Sequence, residues 1–209
     1  MINVVSLLKS IDAIVTDSHF VYTSGKHGSV YVRKDLLYPH TKKASEVCEM
    51  FADKFKNKKI DVVVSPALGG IILSQWTAYH LSKLTGKDVL SLFTEKDEES
   101  NQIFKRGYDQ LVKGKRVLIL EDLTTTGGSV KKVVNSVKKA GGKIIGVCVM
   151  INRDPKNITS KTIGFPLSSL GIFKAESFDA NDCPLCKKNV PINTIVGHGK
   201  KYLQEKNKH

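Results

Sequence analysis

The sequence predicts an α/β fold, a central parallel sheet flanked by helices, with a small hood contributed by the N-terminal and C-terminal segments. Three observations carry this expectation. Short, continuously apolar runs, DVVVS (61–65), DVLSLFT (88–94), RVLILED (116–122) and KIIGVCVMIN (143–152), alternate with segments of helical period. Strands that are apolar at every position belong to parallel sheets covered on both faces. Two of the strand-to-helix turns, PALGG (66–70) and LTTTGGS (123–129), are built from small residues, as turns that approach a ligand with their backbone are.

Each element follows in order. Val4, Leu7, Leu8, Ile11 and Ile14 fall at helical spacing over residues 2–15, the mark of an amphipathic helix. Phe20 to Val32, FVYTSGKHGSVYV, holds two β-prone runs around a Ser-Gly turn, a hairpin signature. Thr41 is placed to cap a helix carrying Ala44, Val47, Phe51 and Phe55 on one face. The strand–helix alternation then begins, with helices expected at 71–84 and 130–140. Residues 95–114 are polar and without an apolar period, so a long loop or short hairpin is expected there. Trp76 and Tyr79 lie on the first of these helices and are expected to pack in the core. The whole chain of 209 residues reads as a single domain, with a core of about 41–155 and a hood of about 1–40 and 156–209.

Composition narrows the function classes. An apolar fraction of 41% and a charged fraction of 25% are those of an ordinary globular protein. No apolar run reaches the roughly 18 residues of a membrane span, and no basic leader precedes an apolar stretch at the N-terminus. A cytoplasmic protein without membrane association is expected. A net charge of +13 invites a nucleic-acid reading. The lysines are scattered, however (Lys54, Lys56, Lys58 and Lys59, then Lys131, Lys132, Lys138 and Lys139), and Lys200, Lys201, Lys206 and Lys208 form a tail. Solvated faces explain them, and nucleic acid is not the expected partner. A positive field also steers a small polyanionic substrate toward a cleft.

The most informative stretch runs from Val117 to Ser129, VLILEDLTTTGGS. A buried strand ends in two adjacent acids, Glu121 and Asp122, and a turn rich in hydroxyls and glycine (Thr124, Thr125, Thr126, Gly127, Gly128, Ser129) opens a helix. Ligands of open α/β sheets bind outside the carboxyl ends of the strands. Glycines let amide groups approach a phosphate, and the helix N-terminus adds partial positive charge. Two carboxylates would repel that phosphate unless they face something else. The vicinal diol of a ribose is suited to them, so the local pattern suggests a ribose 5-phosphate site.

The same stretch closely resembles the signature of the type I phosphoribosyltransferases, in which the acidic pair holds the ribose 2′- and 3′-hydroxyls and the loop holds the 5′-phosphate. Phe20 to Val32 resembles the hood hairpin of orotate phosphoribosyltransferases, and SPALGGIILSQ (65–75) their pyrophosphate loop. The resemblance implies the type I phosphoribosyltransferase fold, with Ala67, Leu68, Gly69 and Gly70 presenting amides to the leaving pyrophosphate. It implies that Arg153 pairs with the carboxylate of orotate, and that Lys96, with Lys105 and Arg106, clamps pyrophosphate from a closing loop. Glu121, Asp122 and Lys96 are the implied catalytic residues. The implied reaction transfers 5-phosphoribosyl from 5-phosphoribosyl-1-pyrophosphate (PRPP) to orotate, with Mg²⁺ held mainly by substrate and water and not by a protein metal site. A homodimer is implied as well, since the family's loop serves the neighbouring subunit. The alternatives are a transferase for a purine or other base, a PRPP-sensing regulator that binds nucleic acid, and a non-catalytic interaction protein. Two departures stand out: Thr23 occupies a family Lys position before the hood Ser-Gly, and Asp97, Glu98 and Glu99 replace basic loop residues.

Of four cysteines, Cys48 and Cys148 are expected to be buried and inert. Cys183-Pro-Leu-Cys186 resembles half of a zinc knuckle, and DCPLCKKNVPI is similar to the ending of some bacterial members. A structural zinc needs four ligands; His198 could supply a third and a dimer more, but no second pair is evident. A reduced thiol pair or a plain turn is therefore expected. His19, His27, His40 and His80 have no identifiable partner in the sequence.

Overall fold

The computed structural model describes residues 3–206; Lys208 of the basic tail lies outside them. The N-terminal segment contains α1 (Val4–Lys9) and four two-residue strands, β1 (Ile14–Val15), β2 (Phe20–Val21), β3 (His27–Gly28) and β4 (Tyr31–Val32). The central part runs through α2 (Thr41–Phe55), β5 (Val62–Pro66), α3 (Gly69–Thr85), β6 (Leu90–Lys96), β7 (Gln102–Ile103) and α4 (Tyr108–Val112). It continues with β8 (Arg116–Thr124), α5 (Gly128–Lys139), β9 (Lys143–Asn152), α6 (Ser160–Ile163) and β10 (Leu167–Ile172). Two short helices, α7 (Pro184–Lys187) and α8 (Gly199–Lys206), end the described chain.

Six strands form one sheet in the order β10-β9-β8-β5-β6-β7. All neighbours are parallel except β6 and β7, which pair as an antiparallel hairpin. Side chains alternate across a strand, and here both faces are apolar. Val63, Leu118, Leu120, Cys148 and Met150 face α1, α2 and α3, where Leu8, Phe51 and Leu73 complete one core. Val62, Val64, Val117, Ile119, Val147 and Val149 face α5, where Val130, Val133, Val134 and Val137 complete a second. Cys48 and Cys148 are fully buried, and burial pushes their thiols up to about 12 and about 11. At the start of β8, Arg116 donates from its backbone N and its Nε to Asp61 Oδ2, each at 2.8 Å, tying β8 to the chain entering β5.

Several expectations are corrected. β10 lies in the central sheet beside β9, so the core extends past residue 155 to Ile172. LSSLGI, with its serines and glycine, lacks the unbroken apolar run of the inner strands because it is an edge. α1 also belongs to the core: a Cβ on Gly171 would stand 2.6 Å from Val4, so only glycine lets β10 and α1 meet this closely. The hairpin exists as β2 paired with β3, with Gly25 at φ 78° in the turn, whereas β4 pairs with β1. Thr41 is the first helical residue of α2, and His40 stands at the cap position without a side-chain bond. Trp76 packs partly against the core, but Tyr79 is 49% exposed and meets Trp76 and His80 edge-on on the outer face of α3.

The hood is sewn from both termini. The backbones of His27 and Phe178 exchange hydrogen bonds at 2.8 and 2.9 Å, Asn193 N donates to His19 O, and His198 N donates to Val21 O. Leu118→Ala should lower unfolding free energy by about 2–5 kcal/mol, a transfer loss plus a cavity at the centre of the sheet. Leu111→Ala, at a site 43% exposed, should cost less than about 0.5 kcal/mol. Urea denaturation of the two variants checks both.

Candidate active site

The carboxyl ends of β5, β8 and β9 lie side by side, with Pro66 opposite Thr94 and Thr124 opposite Asn152. Turns leave this edge at 67–68, 125–127 and 153–157, bringing the sequence-predicted residues to one end of the sheet.

Glu121 and Asp122, in the last turn-ward residues of β8, are 6% and 3% exposed. Lys34 Nζ stands 2.5 Å from Asp122 Oδ2, and the Tyr38 hydroxyl donates to the same oxygen at 2.9 Å. Burial alone would pull the Lys34 ammonium down, but Asp122, by charge and hydrogen bond, holds it above its ordinary value, with help from Asp35 and Glu121. Burial and the Asp122 charge push the Tyr38 hydroxyl up, so it remains a donor. Both contacts fall on Oδ2 of Asp122, which leaves its Oδ1 for another donor. Glu121 has no such cation of its own. Burial first, then the neighbouring Asp122 charge, raise it to about 8, against smaller opposing effects of Ser129, the Asp122 amide and Lys34. Burial and the neighbouring acid thus favour the protonated form of Glu121.

Lys34 and Tyr38 were not singled out from the sequence. Their signal was the spacing within KDLLY, four residues apart across the short 3₁₀ turn Lys34–Leu36. Tyr38 also reaches the neighbouring turn, because a Cβ on Gly69 would meet its ring at 2.7 Å. One tyrosine thus joins the acidic pair to the start of α3.

The turn after β8 keeps the shape of an anion cradle. Gly127 adopts φ 74° at the N-cap of α5, and a Cβ there would press on Ile163 at 3.0 Å. The Thr124 hydroxyl is buried and accepts from Gly127 N at 3.1 Å, so it shapes the turn. Thr126 Oγ1 accepts from Gly128 N at 3.4 Å. Thr125, Thr126, Gly128 and Ser129 are exposed at the N-terminus of a helix of 12 residues, where amides lack helical acceptors and the dipole favours an anion.

The turn after β5 differs from expectation at one position. Ala67 N donates to Thr94 O at 2.8 Å, which binds its amide into the sheet edge. Leu68, Gly69 and Gly70 begin α3, where the helix has no acceptors for their amides; Leu68 is 83% exposed. Lys96 ends β6 exposed. Lys105 and Arg106 both pair with Glu95 at the base of the β6–β7 hairpin, Lys105 at 3.8 Å, so neither extends over the acidic pair.

Arg153 follows β9 and is 7% exposed. Its amide donates to Thr124 O at 3.0 Å, which anchors it beside the phosphate turn. Its guanidinium lies 4.5 Å from the centroid of the Tyr22 ring, and Tyr22 in turn donates to Val30 O at 2.6 Å. The buried Nε has no hydrogen-bond partner, and the guanidinium makes no ion pair among the described residues. A buried, stacked cation without a carboxylate is costly unless a ligand supplies one. Thr23, in the family Lys position, bonds His198 Nε2 at 3.0 Å, and His80 bonds Ser45 at 2.9 Å.

Comparison with known proteins agrees with this arrangement. Residues 35–163 match the phosphoribosyl transferase domain family, more than half of the chain. The chain is 35% identical over 179 residues to an orotate phosphoribosyltransferase of Caldanaerobacter subterraneus subsp. tengcongensis, covering 86% of this chain and 88% of that one. It is 34% identical over 190 residues to that of Caldicellulosiruptor saccharolyticus, covering 90% and 92%. In three dimensions it resembles Mycobacterium tuberculosis orotate phosphoribosyltransferase, with a TM-score of 0.64 at 20% identity over 81% of this chain and 96% of that one. A second structure of that enzyme, in complex with PRPP, matches with a TM-score of 0.55 at 20% identity, over 68% and 80% of the two chains. The chain belongs to the phosphoribosyltransferase family, among the orotate phosphoribosyltransferases.

Proposed function

We propose that the protein transfers 5-phosphoribosyl from PRPP to orotate, releasing pyrophosphate and forming orotidine 5′-phosphate. The single observation that carries this reading is Arg153, a buried cation stacked on Tyr22 and without a carboxylate partner among the described residues, beside the phosphate turn. A planar guanidinium recognises a carboxylate through two parallel hydrogen bonds, and orotate differs from uracil by that group.

The remaining roles follow from position. The α5 N-terminus (Thr125 to Ser129) receives the 5′-phosphate, and Glu121 with Asp122 receives the ribose hydroxyls. Lys34 and Tyr38 orient Asp122, so the sugar is held with its anomeric carbon facing the base, an orientation effect. The amides of Leu68, Gly69 and Gly70 receive the departing diphosphate, where negative charge grows as the bond to the anomeric carbon breaks. Lys96, two residues beyond the Thr94 that pairs with Pro66, adds to that stabilisation, and Lys105 and Arg106 can do so after releasing Glu95. Two adjacent carboxyl groups offer only part of an oxygen shell, which suits a Mg²⁺ ion that arrives with the diphosphate and keeps several waters. When bound, that ion would neutralise charge on the leaving oxygens. Cytoplasmic location and a homodimer belong to the same reading; no described helix is long and apolar enough to cross a membrane.

A panel of orotate, uracil, adenine, hypoxanthine and xanthine, each with PRPP and Mg²⁺ and with pyrophosphate release as the readout, tests the base. Orotate alone should support turnover; turnover with a purine instead would overturn the assignment. Arg153→Ala should raise the KM for orotate about 10–100-fold, the loss expected for a charge-assisted hydrogen bond, with little change in the KM for PRPP. Asp122→Asn and Glu121→Gln should each lower kcat/KM by about 100-fold or more. Wild-type turnover in both would remove their assigned role.

Glu121→Gln should also show an opposite effect on stability. The folded carboxyl, at about 8, binds its proton more tightly than the unfolded one at about 4.3. Its contribution is complete below about pH 4.3 and is lost as pH rises toward 8. The ligand-free Gln variant should therefore melt above wild type at pH 7.5 and close to it at pH 4.5. Thermal denaturation at the two pH values checks this.

A further inference from the structure

Outside the sugar site, four metal-ligating side chains converge in the hood. Cys183, Cys186, His19 and His27 bring one ligand atom each to within 4.8 Å of all the others. Cys183, His19 and His27 are 0%, 1% and 0% exposed, and all four cysteines of the chain are free thiols. We infer that these residues form a structural Cys₂His₂ zinc site that staples the two halves of the hood together.

The spacings fit a tetrahedral ion. Zn–S and Zn–N bonds of about 2.3 and 2.0 Å place a sulfur and a nitrogen about 3.5 Å apart on one tetrahedron. The observed separations are 3.6 Å for Cys183 Sγ to His19 Nε2, 3.8 Å for Cys186 Sγ to His19 Nε2, and 3.4 Å for Cys186 Sγ to His27 Nδ1. The two ring nitrogens, at 2.8 Å, would open by about half an ångström to the spacing of the same tetrahedron. Four protein ligands close the shell, as in structural rather than catalytic zinc sites. Two thiolates and a divalent cation are together neutral, which suits burial.

The protonation pattern points the same way. His19 Nδ1 lies 2.8 Å from Val190 O, a carbonyl that can only accept, so Nδ1 carries the proton and Nε2 turns a lone pair inward. Metal-bound histidines have this outer hydrogen bond. His27 presents Nδ1 to that lone pair, while its buried Nε2 has no hydrogen-bond partner. If Nδ1 carries the proton, a buried acceptor is orphaned; if Nε2 carries it, two lone pairs face each other at 2.8 Å. A cation between the nitrogens removes the clash of lone pairs in that second arrangement, with the His27 Nε2–H left without a partner among the described residues. Cys183 caps α7 and Cys186 stands on its first turn, so the helix fixes both sulfurs on one side.

The cysteine and histidine ligands lie more than 150 positions apart in sequence, which is why Cys183-Pro-Leu-Cys186 looked like half a site. His198, the third ligand suggested by the sequence, is engaged with Thr23 instead. The ion would brace the β2–β3 hairpin, on which Tyr22 stacks against Arg153. Zinc binding does not depend on which base the enzyme accepts, so the two readings fail separately.

The test is elemental analysis of untagged full-length protein expressed with zinc available and purified under reducing conditions without chelator. One zinc per chain is expected, with less than a tenth of that in Cys186→Ser. Because a ligand variant can fail to fold, the wild-type apoprotein is also titrated with Co²⁺. A stoichiometric rise of tetrahedral d–d bands with a thiolate-to-cobalt charge-transfer band supports the site, as does a drop in Tm of about 5 °C or more on zinc removal. Protein without zinc that gives no such bands would overturn the proposal. So would iron in place of zinc, or a Cys183–Cys186 disulfide in the freshly purified chain.

Discussion

The acidic pair ends a strand that has no open side. β8 is flanked by β5 and β9, and Glu121 and Leu123 are in register with Val149 and Ile151, so its carboxyl groups cannot turn sideways into water. Two adjacent buried carboxylates repel each other and lose hydration together. Lys34 and Tyr38 relieve half of that cost by committing themselves to Asp122. The other half remains on Glu121, whose proton affinity stays high. A diol brought against this pair meets one fixed acceptor and one group that changes between donor and acceptor. The free protein therefore carries a locally unfavourable arrangement that a hydroxylated, phosphorylated ligand improves, as functional sites commonly do.

Tyr38 extends the same constraint to the second anion site. Its ring occupies the space that a side chain at residue 69 would need, and its hydroxyl holds Asp122. Any shift of the α3 N-terminus is thereby felt at the acidic pair, and the reverse. Arg153 links a third component, since its amide is bound by Thr124 of β8 while its guanidinium lies on Tyr22 of the hood. On the proposed assignment, the groups that would receive sugar diol, leaving group and base are linked through these contacts, as near-attack geometry requires.

Much of this was legible in the sequence, and what was not has identifiable causes. The inner strands announced themselves because burial on both faces leaves continuous apolar runs at the centre of β5, β8 and β9. β10 did not, since an edge strand tolerates the serines and glycine of LSSLGI. The acidic pair and glycine turn were readable because their chemistry is contiguous. Lys34, Tyr38 and the inward-facing histidines were not, because their partners come from distant parts of the chain. The Ala67 amide was assigned to a ligand from the resemblance of residues 65–75 to a pyrophosphate loop, yet the sheet claims it first. A composition pattern identifies a turn that can approach a phosphate, but not which of its amides the strands have already used.

The β6–β7 hairpin shows how an acidic loop can still serve an anionic substrate. Lys105 and Arg106 are about half exposed, and their shared partner Glu95 is a quarter exposed. Ion pairs at such positions are worth about 0–1 kcal/mol, so exchanging a carboxylate for a more highly charged diphosphate is opposed only weakly. Asp97 is occupied within the loop by Asn101, and Lys132 of α5 donates to Ser100 O at 2.6 Å. The hairpin tip is therefore tethered to the helix whose N-terminus forms the phosphate cradle. A diphosphate that draws Lys105 and Arg106 from Glu95 would move the base of the hairpin while its tip stays attached to α5. Movement of this kind would break only the two ion pairs of Glu95, which cost little to exchange.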